Sequence, residues 1–273
     1  MNATGDEGAG GQVAQCGIAV MAKASAAGRT KTRLVPPLTC AEAAALNTAF
    51  LKDIAENILA ARKSASIAGY MAYGPPEAAA FFRENFPSGF GLFDAWFPNF
   101  GDCLYFAVCE LLRRSHRSAV VLNSDTPTLP TALLLQAVNL LAQPGDHAVL
   151  GPAADGGYYL LGLKRPHRRL FESISWSTSL VAQQTLERAR EIGLAVHVLS
   201  PWYDVDDART LTQVEAEIAS GRSFDVAFQS YGAFHTAELL RSVFGAQGLA
   251  GRLRAAALHK DGEESRLFSL KFR

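Results

Sequence analysis

Apolar residues fall in short blocks along this chain, and between the blocks they recur at helical spacing. The blocks are CGIAVMA at 16–22, Ile67 to Tyr73, Ala119 to Leu122, Ala148 to Leu150, Tyr158 to Leu163 and Val196 to Leu199. Bounded by turn residues, they read as strands, with Ala119 to Leu122 a buried parallel one. Between the first two, Ala45, Phe50, Leu51, Ile54, Ile58 and Leu59 lie near helical spacing and predict a helix from Ala41 to about Lys63. Thr39 followed by Glu42 supplies a capping box for its start. Further helices are predicted over Glu77–Asn85, Cys103–Arg114, Thr131–Ala142 and Ala208–Ser220. One more carries Leu180, Val181, Thr185 and Leu186, with Ser177 or Thr178 as its cap. Phe86 to Phe100 has no clean period, and its aromatics read as packing. The alternation of strand and helix is that of an α/β core ending near residue 220.

The flanks differ. Residues 1–15 are rich in Gly and Ala and read as a disordered leader. Residues 221–273 read as a partly helical extension, with helices over Thr236–Phe244 and Leu249–Leu258. Its end alternates Leu267, Phe268, Leu270 and Phe272 with polar and basic residues.

Composition narrows the class. With 49% hydrophobic and 19% charged residues, the 273-residue chain fits a soluble globular enzyme. A formal net charge of zero speaks against a general nucleic-acid binder. Cys16, Cys40, Cys103 and Cys109 form no C-x-x-C pair, which suits a reduced cytoplasmic protein. The start lacks the basic and apolar run of a signal peptide, and no stretch is apolar enough to span a bilayer.

The candidate chemistry sits where apolar blocks stop. SAVVLNSDTPTLP at 118–130 breaks from a strand to Asn123, Ser124 and Asp125, and Pro127 keeps the adjoining chain out of helix. Ligands of open α/β sheets gather beyond the carboxyl ends of strands. A carboxylate there suits a hard cation such as Mg²⁺ or Mn²⁺ completed by substrate phosphates. The competing reading makes Asp125 a cap for the helix near Thr131. After the first strand, Lys23, Arg29, Lys31 and Arg33 put four cations and no acid in one loop, with Gly28 free to turn tightly. That is either a cradle for a diphosphate or triphosphate or a solvated basic loop. It matches neither the Walker pattern nor G-x-G-x-x-G. In GPAADGGYYLLGL at 151–163, Gly156 and Gly157 permit close approach by a ligand and Asp155 accepts hydrogen bonds. Asp-Gly-Gly is equally a hairpin turn. Trp176 and Ser177 precede a helix and could border a pocket. Asp204 and Asp206, one residue apart, share a face of an extended segment and suit a common cation.

Taken in order, AKASAAGRTKTRL at 22–34, LNSDTPTLP at 122–130, GPAADGGYYLLGL at 151–163, WST at 176–178 and DVDD at 204–207 resemble a bacterial glycosyltransferase-like family. It is the radical-SAM-associated, arsenosugar-biosynthesis type within the nucleotide-diphospho-sugar transferase superfamily. The resemblance covers roughly residues 16–220 and implies one Rossmann-like, mixed but mostly parallel sheet flanked by helices, the glycosyltransferase type A fold. It implies that Lys23, Gly28, Arg29, Lys31 and Arg33 face nucleotide phosphates. Asp125 would be a metal-side and catalytic carboxylate, joined at the metal by Asp204 and Asp206. Asp155 would be catalytic, and Gly156, Gly157, Tyr158, Trp176 and Ser177 would line the sugar or acceptor side. The implied activity is metal-dependent glycosyl transfer from a nucleotide sugar to a small-molecule acceptor. The alternatives are a guanylyltransferase-like nucleotidyl transfer from a nucleoside triphosphate, releasing pyrophosphate, or a catalytically degenerate nucleotide-binding protein. The partners implied are those small molecules, with no nucleic acid, no membrane span and room for a homodimer. Relatives carry prolines where this chain has Ser25 and Ala26. They also carry a Gly-x-Leu-Gly-x-Arg-Met-like element where this chain reads NFGDCLYFA at 99–107.

Overall fold

One seven-stranded sheet organises the computed structural model, which describes residues 15–244 and 251–252. Its strands in chain order are β1 (Cys16–Lys23), β2 (Ile67–Gly74), β3 (Gly91–Asp94), β4 (Ser118–Leu122), β5 (His147–Pro152), β6 (Tyr158–Leu163) and β7 (Ala195–Val198). They lie in the order β3-β2-β1-β4-β6-β5-β7. β1, β2, β3 and β4 run parallel, and β6 is antiparallel to both of its neighbours, so β5 and β7 share the direction of β4. The expected mixed, mostly parallel sheet is therefore present. The Asp-Gly-Gly turn does form a hairpin, between β5 and β6.

The period of two along each strand divides the core into two layers. Ile18, Val20, Val120 and Leu122 face one way with α1 (Cys40–Arg62), α2 (Ala79–Asn85), α4 (Thr131–Leu141) and α6 (Ala208–Ser220). Ala19, Ala119 and Val121 face the other way with α3 (Phe100–Arg113) and α5 (Val181–Glu191). Helix starts follow local chemistry. Thr39 and Glu42 form the expected capping box on α1, and Asp207 with Thr210 forms another on α6.

Some boundaries differ from the sequence expectation. α3 begins at Phe100, with Asn99 accepting from Gly101 N–H at 2.9 Å, because the Asn side chain caps more readily than the Gly-Asp step after it. α5 starts after Leu180 with no side-chain cap, since Ser177 has φ 63° and takes the chain through a left-handed turn instead. β3 is an edge strand that the aperiodic aromatic segment concealed. α4 has Pro130 at its N-cap position, so Asp125 does not cap it.

α7 (Phe234–Phe244) packs along α1. The wholly buried Asp53 of α1 accepts from the N–H groups of His235 and Thr236 at 2.8 and 2.9 Å, and from the Thr236 hydroxyl at 2.6 Å. It thus satisfies donors at the start of α7 from another helix. Residues 1–14 of the expected leader lie outside the described residues. So do the alternation at 267–272 and the helix over 249–258, apart from 251 and 252. Asp53→Ala should lower folding stability by about 2–3 kcal/mol, from lost charge-assisted hydrogen bonds and stranded donors. Urea denaturation checks this, with faster amide exchange in α7.

Candidate active site

Because β1, β4, β5 and β7 run the same way, their carboxyl ends meet at one edge of the sheet. The chain continues there as the cationic loop after Lys23, the Asn123–Asp125 turn, the hairpin tip at 153–157 and the 199–206 segment. Backbone bonds tie these together: Asn123 N–H donates to Tyr159, Val205 N–H to Asp125, and Ala154 N–H to Trp202. Four motifs separated by up to about 180 residues thus border one another.

At the centre stands Lys31. Its ammonium lies 2.6 Å from Asp125 Oδ1 and 2.9 Å from Asp206 Oδ1, and donates to the Val205 carbonyl at 2.7 Å. The side chain is only 6% exposed and sits over the Phe50 ring. Burial works against its charge, but the carboxylates of Asp125 and Asp206 outweigh that and hold its pKa above the ordinary lysine value. The backbone of Lys31 is left-handed, φ 51°, a conformation that costs a non-glycine residue about 1 kcal/mol and persists where surroundings enforce it. Lys31 is therefore a cation already paired with acids, unlike Arg29 and Arg33, which have no side-chain hydrogen bond or ion pair among the described residues. Lys23 donates to the Arg29 carbonyl at 3.2 Å, which folds the loop onto itself.

Two adjoining hollows meet at this ion pair. The smaller, about 250 Å³, is lined by Lys23, Arg29, Lys31, Arg33, Asn47 and Ser124, among others. The larger, about 530 Å³, has Asp125, Asp155, Asp204 and Asp206 on its walls, with Gly157, Tyr158, Trp176 and Ser177. Arg33, Ser124, Asp125 and Asp206 border both. Of the residues singled out from the sequence, Gly28 and Gly156 line neither. Gly28 turns the loop at φ 74°. Gly156 permits a close approach by protein rather than by ligand: a Cβ there would lie 2.2 Å from the Ser179 carbonyl oxygen.

Asp155 accepts from Gly157 N–H at 2.8 Å. Asp204 accepts from Asn123 Nδ2 at 2.7 Å, yet its carboxyl is pushed up to about 8 by burial and by the charges of Asp125, Asp155 and Asp206. Asn123 is a site residue that sequence reasoning passed over as a strand terminator. Its Oδ1 also accepts from Thr126, so it braces the turn and Asp204 together. Phe100, read as packing, is 48% exposed on the wall of the larger hollow, whereas Phe86, Phe90 and Phe93 are buried.

Residues 57–178 match the model of a family described as an uncharacterized protein conserved in bacteria, DUF2064. The chain is also similar to a crystal structure from Desulfovibrio desulfuricans G20, provisionally described as a nucleotide-diphospho-sugar transferase. That likeness has 25% identity, a TM-score of 0.71, and coverage of 84% of this chain and 95% of that one. The chain has the nucleotide-diphospho-sugar transferase fold. The superfamily resemblance read from its motifs holds. Looser likenesses are to a CMP:2-keto-3-deoxy-manno-octonic acid synthetase complexed with CTP (13% identity, TM-score 0.49, covering 76% of this chain and 99% of that one). Another is to a 4-diphosphocytidyl-2C-methyl-D-erythritolsynthase from Anaerococcus prevotii DSM 20548 (9%, 0.49, 76% and 96%). No curated protein matches the chain.

The donor set of the acidic centre fits a hard divalent cation in kind. It consists of carboxylate oxygens in excess of the paired positive charge, and burial with its acidic neighbours raises one of these carboxyls, that of Asp204, to about 8. The spacing is looser. Among the described residues, the three-residue group with ligand atoms mutually within 4.8 Å is Asp53, Glu56 and His235, not Asp125, Asp204 and Asp206. Asp53 there is engaged by α7, and His235 bonds Glu56 at 2.8 Å. Asp204 also sets a pH dependence. Its carboxyl titrates near 3.8 when unfolded and about 8 when folded, so the stability its proton supplies is present at low pH and lost as pH rises through the upper value. With chelator present, the melting temperature should fall between about pH 5 and 8.5, and Asp204→Asn should flatten that fall.

Proposed function

We propose that this protein is a metal-dependent transferase acting on a nucleotide-activated substrate, and that the reaction is glycosyl transfer from a nucleotide-diphospho-sugar to a small-molecule hydroxyl. The observation that carries this reading is the junction at Asp125 and Asp206 between a small cationic bay and a larger acidic and aromatic cavity. Lys23, Arg29 and Arg33 hold the diphosphate in the bay, where guanidinium and ammonium donors match phosphate oxygens. Asp125, Asp204 and Asp206 would hold Mg²⁺ or Mn²⁺. When bound, the ion neutralises charge developing on the departing diphosphate. Lys31 keeps Asp125 and Asp206 in register and adds its own positive charge beside the phosphates. The acceptor lies in the larger cavity. Its oxygen bonds to the anomeric carbon as the carbon–oxygen bond to the diphosphate breaks, and Asp155 takes the acceptor proton.

A second reading, nucleotidyl transfer, draws on the smaller bay, whose volume and cations suit a departing pyrophosphate equally well. Four unpaired cysteines favour a reducing, cytoplasmic setting, and no described helix is long and apolar enough to cross a membrane.

A thermal-shift panel with Mn²⁺ or Mg²⁺ tests the choice by comparing UDP-, GDP-, CDP- and dTDP-sugars with their diphosphates and with nucleoside triphosphates. Glycosyl transfer predicts selective, metal-dependent stabilisation by one nucleotide sugar and its diphosphate. Preference for a triphosphate would move the assignment to nucleotidyl transfer, and silence across the panel to a degenerate site. Asp125→Asn should leave the fold intact, because Asp206 and the Val205 carbonyl still hold Lys31. It should weaken metal-dependent nucleotide binding by about tenfold or more, and unchanged binding would refute the role given to Asp125.

A further inference from the structure

The two hollows differ in charge, and the difference bears on what the acceptor can be. In the smaller bay Lys23, Arg29, Lys31 and Arg33 face Asp125 and Asp206. In the larger cavity the charged lining is Asp125, Asp155, Asp204 and Asp206 with Arg33 alone opposing them, and Arg33 lies at the junction. Away from the junction the wall consists of Phe100, Trp176, the hairpin at Gly157 and Tyr158, and the hydroxyl-bearing run from Ser177 to Ser179. Asp155 and Asp204 are the charged groups that line this cavity without bordering the bay, and both are acids. Arg168, the cation near the start of α3, is already paired with Asp102 at 3.0 Å and Glu172 at 3.3 Å. A phosphate or carboxylate on the acceptor would thus leave water to face an acid without a counter-charge.

The aromatic surface has a definite geometry. The Phe100 and Trp176 rings meet edge to face, with centroids 5.3 Å apart. Gly101 lets this part of the wall close up: a Cβ there would stand 2.6 Å from the Phe171 carbonyl oxygen and 3.1 Å from Trp176 Cζ2 and Nε1. Phe100 keeps 48% of its surface exposed. Beside the rings, Ser177 and Ser179 have hydroxyls with no hydrogen-bond partner among the described residues. An apolar wall next to free hydroxyls suits a ligand with one carbon-rich ring face and a hydroxyl-bearing edge.

From this we infer that the acceptor is an uncharged, hydroxyl-bearing cyclic molecule, seated with a ring face on Phe100 and Trp176, and that the site discriminates against phosphorylated or carboxylated acceptors. The inference rests on the transferase reading but is separable from it. It also opposes the nucleotidyl alternative, which needs a phosphorylated substrate at this end of the site.

The test uses the full chain with Mg²⁺ and the nucleoside diphosphate that stabilises it best. Saturation-transfer NMR follows two probes, phenyl β-D-glucopyranoside as the neutral ring and glucose 6-phosphate as the anionic one. The neutral probe should take up saturation and the phosphate should not. Trp176→Leu and Phe100→Leu should each weaken the neutral probe about fivefold, Trp176→Phe should restore much of the loss, and diphosphate binding in the other bay should be unchanged. Equal or tighter binding of glucose 6-phosphate overturns the inference, as does no saturation of the neutral probe or its full retention in Trp176→Leu. If the wild-type chain binds no diphosphate at all, the transferase reading itself has failed, and that outcome is read independently of either probe.

Discussion

The buried contact of Lys31 with Asp125 and Asp206 is the constraint on which the site depends. An ammonium this deep is tolerated because two carboxylates and a backbone carbonyl surround it, and losing both carboxylates would leave its charge unpaired in a low-dielectric place. The pairing joins the loop after β1, the turn after β4 and the segment after β7. Loops at a sheet edge are ordinarily its most mobile parts. Here one side chain cross-links three of them, so the junction of the two hollows has a defined shape.

That cross-link also divides the positive charge of the loop into two kinds. Lys31 is engaged by protein acids, while the Arg29 and Arg33 side chains have no hydrogen bond or ion pair among the described residues. Sequence chemistry treats the four cations alike, since nothing local separates Lys31 from its neighbours. The left-handed backbone at Lys31 turns its side chain inward towards Phe50 and the acids. The acids are themselves unequal. Asp125 and Asp206 share a counter-ion, whereas among the described residues the Asp204 carboxylate accepts from the Asn123 amide alone, and burial and its acidic neighbours hold its pKa well above the ordinary carboxylate range.

Outside the site, the chain uses a similar device to hold α7. Asp53 reaches from α1 to the first N–H groups of α7, an interhelix cap that no window of the sequence around residue 235 contains. The Asp53, Glu56 and His235 side chains draw close as a result, and their proximity is explained by helix docking.

Read without coordinates, the chain already showed its alternation of strand and helix, the capping box at Thr39 and Glu42, and the concentration of chemistry at strand ends. These are local matters of side-chain period and of donors satisfied within one turn, and the ordered motifs carried the superfamily. The short edge strand β3 was hidden by a segment without period, because its pairing with β2 comes from outside that segment. The insertion of antiparallel β6 between β4 and β5 was likewise a matter of long-range pairing. Only the tertiary structure decided that Lys31 faces acids, that Gly156 yields to Ser179, and that Phe100 joins Trp176 on a cavity wall. Each of these rests on contacts between residues distant in the chain, whose energies depend on burial and on neighbours that the sequence does not place side by side.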